Sequence, residues 1–124
     1  MDSCAKRNVN NGKYLLNDYK MVKVIRGKNT RIAFQRKCNK YTRGLSISKD
    51  ALGKMEDVTI TPGMEVELES NVYLRNYGKQ IHMVKYCMTK DAKRCDGGFF
   101  TFTPDEWIYF WTKIRAPLLD YVNK

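Results

Sequence analysis

Phe99-Phe100-Thr101-Phe102-Thr103-Pro104-Asp105-Glu106-Trp107 reads as a strand that runs straight into a helix. Phe100 and Phe102 alternate with threonines, the two-residue period of a half-buried strand. Thr103 then fits a helix N-cap, Pro104 suits the first turn, and Glu106 stands at the capping-box position. Beyond it Trp107, Trp111 and Ile114 form one stripe, flanked by Ile108 and Phe110, and Pro117 is expected to end or kink the helix. Working outward, the same junction occurs once before. Leu45-Ser46-Ile47-Ser48-Lys49-Asp50 lines up with Phe100 to Asp105 at an offset of 55. Upstream, Ile32-Ala33-Phe34-Gln35-Arg36-Lys37-Cys38 lines up with Ile81-His82-Met83-Val84-Lys85-Tyr86-Cys87 at an offset of 49, which also sets Arg26 on Arg75. The second copy thus carries six extra residues, expected in a loop around Thr89 to Gly97.

The order of elements repeats with the residues. In the first copy Lys13–Leu16, Lys20–Arg26, Arg31–Arg36 and Gly44–Ile47 read as strands, with a hairpin at Gly27-Lys28-Asn29 and a polar loop at Asn39–Arg43. Ser48 caps a short helix carrying Ala51, Leu52 and Met55, expected to reach about Val58. In the second copy Met64–Glu69, Val72–Asn76, Gln80–Cys87 and Phe99–Phe102 are the strands, with a turn at Tyr77-Gly78-Lys79. The expected fold is α+β: two ββββα units, 1–60 and 61–124, divided near Thr61-Pro62-Gly63 and folding together as one domain.

Charge narrows the function. The 124 residues hold 23 Lys/Arg against 13 Asp/Glu, a net +10. Residues 1–58 contribute 14 basic and 5 acidic residues, net +9, and residues 59–124 only net +1. A field this lopsided points to an acidic partner, nucleic acid before an anionic membrane surface. No run approaches the length of a membrane span, no apolar leader follows Met1, and no phosphate-loop or dinucleotide fingerprint occurs. An intracellular, reducing compartment is therefore expected, with Cys4, Cys38, Cys87 and Cys95 as thiols. Their spacings do not match zinc motifs, and the lone His82 makes a His82/Cys87/Cys95 site a remote alternative, so no metal or cofactor is expected. Glu65, Glu67 and Glu69 alternate along a strand and read as a solvated edge in preference to a nuclease site.

The stretches Leu74-Arg75-Asn76-Tyr77-Gly78-Lys79, Ile81 to Met88 and Phe99 to Trp107 resemble the single-stranded-DNA-binding domain of the positive cofactor four family of transcriptional coactivators. That family shows V-R-x-F-x-G-K, I-R-E-Y-W-M and K-G-I-S-L-N-P-E-Q-W at the corresponding places, and Arg43-Gly44-Leu45-Ser46-Ile47-Ser48 echoes the last of these. Cys38 and Cys87 stand where the family has Trp, and Gly98 where it has a basic residue. Family members carry one unit and pair through their helices. Two units in one chain look more like Pur-alpha and Whirly proteins. The resemblance implies curved antiparallel sheets whose open faces hold single strands, with the helices packed between.

The residues supply the chemistry this needs: cations for phosphates and rings for unstacked bases. The candidates are Lys20, Arg26, Lys28, Arg31, Phe34, Arg36, Lys37, Lys40, Tyr41 and Arg43 in the first copy. Tyr73, Arg75, Tyr77, Lys79, Lys85 and Tyr86 are those in the second. Trp107, Phe110, Trp111 and Ile114 are expected to pack between units or between chains, with a homodimer covering what the thinner first helix cannot. The expected partners are single-stranded DNA, then RNA, and the machinery of transcription, replication or recombination in a nucleus or nucleoid, with no membrane. The competing reading is a protein-interaction module that takes an acidic partner on the basic sheet.

Overall fold

In β3 (Arg31–Cys38), Ile32 and Phe34 are buried while Arg31 and Gln35 are partly exposed and Lys37 is exposed. Strand geometry sends alternate side chains to opposite faces, so this one strand divides its sheet into an inner and an outer side. The structure, a computed structural model, describes residues 12–38, 41–55, 62–88 and 94–123. Within them β1 (Lys13–Leu15), β2 (Lys20–Ile25), β3 and β4 (Tyr41–Ser48) form an antiparallel sheet in chain order. Helix α1 (Lys49–Lys54) follows, its first turn capped by the Ser48 hydroxyl, which accepts from the Ala51 N–H at 3.2 Å. A second antiparallel sheet, again in chain order, holds β5 (Glu65–Glu69), β6 (Val72–Asn76), β7 (Ile81–Met88) and β8 (Arg94–Phe102). It runs into α2 (Pro104–Tyr109), a wide turn at Phe110–Ile114 and α3 (Arg115–Val122). The chain is α+β, two four-stranded sheets each followed by helix. Phe34 pairs with Leu45 in one and Met83 with Phe100 in the other, the same positions the repeat aligns.

The two inner faces share one core. Phe34 lies with its ring centroid 5.6 Å from Phe100, 6.0 Å from Phe102 and 5.9 Å from Phe110, so both sheets and the long helix meet on it. Phe34 is therefore a core residue and not a ring for bases. Trp107, Phe110, Ile114, Leu118 and Val122 are all buried in the same cluster as Val22, Ile47 and Leu74. Of the expected stripe Trp107 and Ile114 are covered from within the chain, as is Phe110 beside them. Trp111 is partly buried against the core, with the Arg115 guanidinium over its ring. On that helix Ile108 (58% exposed) and Tyr109 are the large apolar side chains left outside.

Several boundaries differ from the expectation. β4 begins at Tyr41 and β8 at Arg94, so part of each expected loop is strand. The first helix ends at Lys54 with Met55 as its cap, and the stretch towards Val58 lies outside the described residues. Pro117 does not end the second helix. It can donate no hydrogen bond and its ring crowds the carbonyl of Lys113. The chain accommodates this by widening the turn just before it, where the Arg115 N–H donates to the Phe110 carbonyl five residues back. The wide turn also keeps the buried residues in line, since Phe110, Ile114, Leu118 and Val122 repeat every four residues and would drift about 40° per step on a regular helix.

β4 and β8 meet at two glycines. A Cβ on Gly98 would stand 2.7 Å from the Gly44 carbonyl oxygen, and one on Gly44 would stand 1.8 Å from the Phe34 carbonyl oxygen. Both contacts are with backbone that cannot swing away: glycine at 98 admits the close approach of β8 to β4, and glycine at 44 that of β3 to β4 within the first sheet. Gly98→Ala is expected to lower unfolding free energy by about 1–3 kcal/mol and Phe34→Ala by about 3–5 kcal/mol. Urea unfolding followed by tryptophan fluorescence checks both, and a Phe34→Ala cost under about 1 kcal/mol would contradict the shared core.

Candidate nucleic-acid interface

The outer face of the first sheet follows from register. Lys13, Lys23, Ala33 and Ser46 lie side by side across the four strands, and Leu15, Met21, Gln35 and Gly44 form the neighbouring row. Lys13 and Lys23 stand directly opposite each other, and like charges so placed repel, which an anion laid between them relieves. Lys37 and Tyr19 are exposed at the next step, where the Lys37 N–H donates to the Tyr19 carbonyl at 2.7 Å. Lys28 lines an open cavity of about 450 Å3 beside Arg31, Ser48, Lys49 and Asp50.

Other expected cations of this unit are engaged elsewhere. Lys20 shares the inner side with Phe34, and its Nζ donates to Glu106 Oε1 at 2.7 Å and to the Thr101 carbonyl at 2.8 Å. It ties the two units together and is withdrawn from any ligand. Arg36, also on the inner side, carries its guanidinium across to the Phe99 ring of the second unit, 5.3 Å from the centroid. Arg31 faces outward but donates to the Ser46 carbonyl and to Glu69 Oε2, each at 2.9 Å. Arg26 donates to the Tyr121 carbonyl and stacks on that ring. Arg43 is exposed at the end of the inner side, opposite Arg36. Lys40 and the Tyr41 side chain lie outside the described residues. The register also corrects one equivalence: Arg75 pairs with His82, and His82 aligns with Ala33, which pairs with Lys23. Lys23, not Arg26, is the counterpart of Arg75, because the first hairpin loop is longer.

The second sheet offers rings where the first offers lysines. Across its outer face Glu67, Tyr73, Val84 and Phe99 form one row and Glu65, Arg75, His82 and Thr101 the next. Phe99 is 44% exposed, a large apolar ring left open on a sheet face. Tyr73 and Tyr86 pack edge to face at 5.9 Å. Tyr77, 56% exposed on the hairpin, packs edge-on against His82 at 4.8 Å. Burial pulls the His82 imidazole below its ordinary value, so the ring is neutral through physiological pH and adds a flat surface without charge. Arg75 is ion-paired with Glu65. Lys79 is exposed on the hairpin, and Lys85 is half-buried on the inner side beside Gly98.

No family model, curated protein or solved structure matches the chain.

Sequence reasoning overlooked Lys13, Tyr19 and Phe99. The available signal was alternation counted from a known buried residue: Phe99 is one step from Phe100, and Lys23 one step from Val22. The three glutamates of β5 diverge. Glu65 meets Arg75, whereas Glu69 accepts from the Ser48 N–H and from Arg31. Among the described residues no group of three His, Cys, Asp or Glu is placed to share a metal ion.

Two carboxylates hold the halves together. Burial pushes the Glu106 carboxyl up, but hydrogen bonds from Lys20 and from the Thr103 N–H, with the Lys20 charge, outweigh it and hold the group below its ordinary value. Glu69 is likewise raised by burial and lowered further by Ser48 and Arg31. A carboxyl depressed in the folded state stabilises above its unfolded pKa and loses that contribution as pH falls through the folded value. Stability is therefore expected to decline below about pH 4.5. Lys20→Met leaves Glu106 half-buried without its cation and is expected to cost about 1–3 kcal/mol at pH 7. Thermal melts at pH 7 and pH 3.5 check this: the gap between variant and wild type should narrow at the lower pH, as protonation of the carboxyl weakens the Lys20 pair in the wild type and relieves the unpaired charge in the variant. A constant gap would mean Lys20 acts only through packing.

Proposed function

We propose that the chain is a non-catalytic single-stranded nucleic-acid-binding protein, preferring DNA and taking RNA second, that serves transcription, replication or recombination in a nucleus or nucleoid. The observation that carries this is the pair of outward sheet faces, one lined by Lys13, Lys23 and Lys37 and the other by Tyr73, Tyr77 and Phe99. Cations capture phosphates, and exposed rings accept bases only when those bases are unpaired. Both helices spend their apolar faces on the core, which favours a sheet-borne site over a helix laid in a duplex groove. The sequence resemblance adds support, since two ββββα units in one chain look like the arrangement of Pur-alpha and Whirly proteins, whereas members of the positive cofactor four family carry one. Among the described residues no helix is long and apolar enough to cross a membrane.

Fluorescence anisotropy with labelled oligo-dT, matched duplex DNA and RNA over a salt series tests the reading. Single strands are expected to bind tighter than duplex. Equal affinity for duplex, or for an acidic polypeptide of matched charge, overturns it in favour of a duplex binder or a protein-interaction module. Lys23→Glu and Lys37→Glu should each lower the log–log salt slope by about 0.7. Tyr77→Ala should cost about 1–3 kcal/mol of binding with the melting temperature unchanged, whereas a lower melting temperature at unchanged affinity would make Tyr77 a packing residue. Self-association is also proposed, resting now on the exposed Ile108 and Tyr109. A mass of 14.5 kDa at every concentration in light scattering would end that proposal.

A further inference from the structure

Phe99 stands on the outer face of β8, next to the seam where Gly98 meets Gly44. Its ring carries a guanidinium from the other unit: Arg36 lies 5.3 Å from the centroid. Across the sheet the same row continues through Val84 to Tyr73, about 10 Å away at two strand spacings. Tyr73 in turn meets Tyr86 edge to face. The row ends at Glu67, exposed on β5, beside Glu65. So the face is graded: a cation at the seam, rings in the middle, carboxylates at the far rim. A phosphodiester chain is drawn to the first end and repelled from the last.

We infer that Phe99, Arg36, Tyr73 and Tyr86 form a composite base-stacking subsite built from both units, in which the phosphates lie along the β4/β8 seam and the bases point across β8 and β7 towards Tyr73. The inference rests on the single-strand reading above and deepens it by assigning the bases to one face and one sense. Arg36 and Phe99 supply the crossing point. A guanidinium over a ring makes a flat, charged step that a base can extend by stacking and whose phosphate the same cation can hold. Two ring platforms about 10 Å apart leave room for two unstacked bases between seam and rim. Glu67 closes the far side, since a backbone laid there would face its carboxylate, whereas the Glu65 charge is taken up by Arg75.

Three variants in the full chain test this, with oligo-dT and an abasic oligomer of equal length as probes. Phe99→Leu keeps an apolar side chain but removes the ring. It should weaken oligo-dT binding by at least about fivefold and leave the abasic oligomer and the salt slope unchanged. Arg36→Lys keeps the charge but loses the planar stack, and should weaken oligo-dT with the slope preserved. Glu67→Gln should strengthen both probes by removing the repulsive rim. Melting temperatures within a few degrees of wild type exclude misfolding as the cause, and Phe99→Tyr, which restores a ring, should recover binding. The inference is overturned if the wild type binds the abasic oligomer as tightly as oligo-dT, or if Phe99→Leu binds oligo-dT like the wild type. Either result leaves a single-strand binder that works through its lysines. A wild type that prefers duplex overturns the underlying reading itself.

Discussion

The contact of Phe34 with Phe110 fixes the parity of β3, and with it the surface of the first unit. Once Phe34 points inward, Ile32 must follow it and Arg31, Gln35 and Lys37 must face out. Pairing then carries the same choice across the sheet, through Val22 on one side and Leu45 on the other. A slip of one residue would expose the phenyl ring and bury a row of cations. A buried charge without a partner costs far more than any ring contact contributes, so the register has no near competitor. Lys20 shows the exception that fits: it lies on the inner side, and there it has Glu106 and the Thr101 carbonyl.

Glu106 does two tasks at once. As the capping-box carboxylate it accepts from the Thr103 N–H at 2.9 Å and starts the long helix. As the partner of Lys20 it binds that helix start to β2 of the other unit. The geometry of the cap thus sets where the helix meets the first sheet, and the aromatic cluster around Phe34 fills the space so defined. Glu69 plays a parallel part on the other side, joining β5 to the end of β4 through Ser48 and Arg31. At each strand-to-helix junction the N-cap N–H thus donates to a glutamate of the second unit that also pairs with a cation of the first.

The fold was legible because its signals are local. Alternation, a Ser or Thr cap and a repeated order of elements need no knowledge of distant neighbours, and all of them stand in the chain as written. What was not legible is long-range. Nothing near Lys20 says that Glu106, 86 residues away, will claim it while Lys23 stays outward. Phe34 and Phe99 are both phenylalanines inside strand segments, yet one is the centre of the core and the other is 44% exposed. The residue before a buried position decides this, and it requires knowing which face the second sheet covers. The continued helix past Pro117 was hidden for a similar reason: proline's local preference to end a helix gave way to the burial of Leu118 and Val122 beyond it.

The two sheets have come to differ in what they offer, and the difference has a kinetic meaning. Long-range attraction acts before contact, so under the proposed function the lysines of the first sheet would govern how fast an anionic strand arrives and how strongly salt slows it. Stacking acts only at contact, so under the same proposal the rings of the second sheet would govern how long the strand stays. A chain with both properties on both faces would hold any polyanion tightly. Separating them makes retention depend on unpaired bases while capture depends on charge alone. On that proposal a duplex would be captured by the same lysines but would find nothing to keep it. Discrimination would then arise in the off-rate, on the sheet of the half that carries almost none of the net charge.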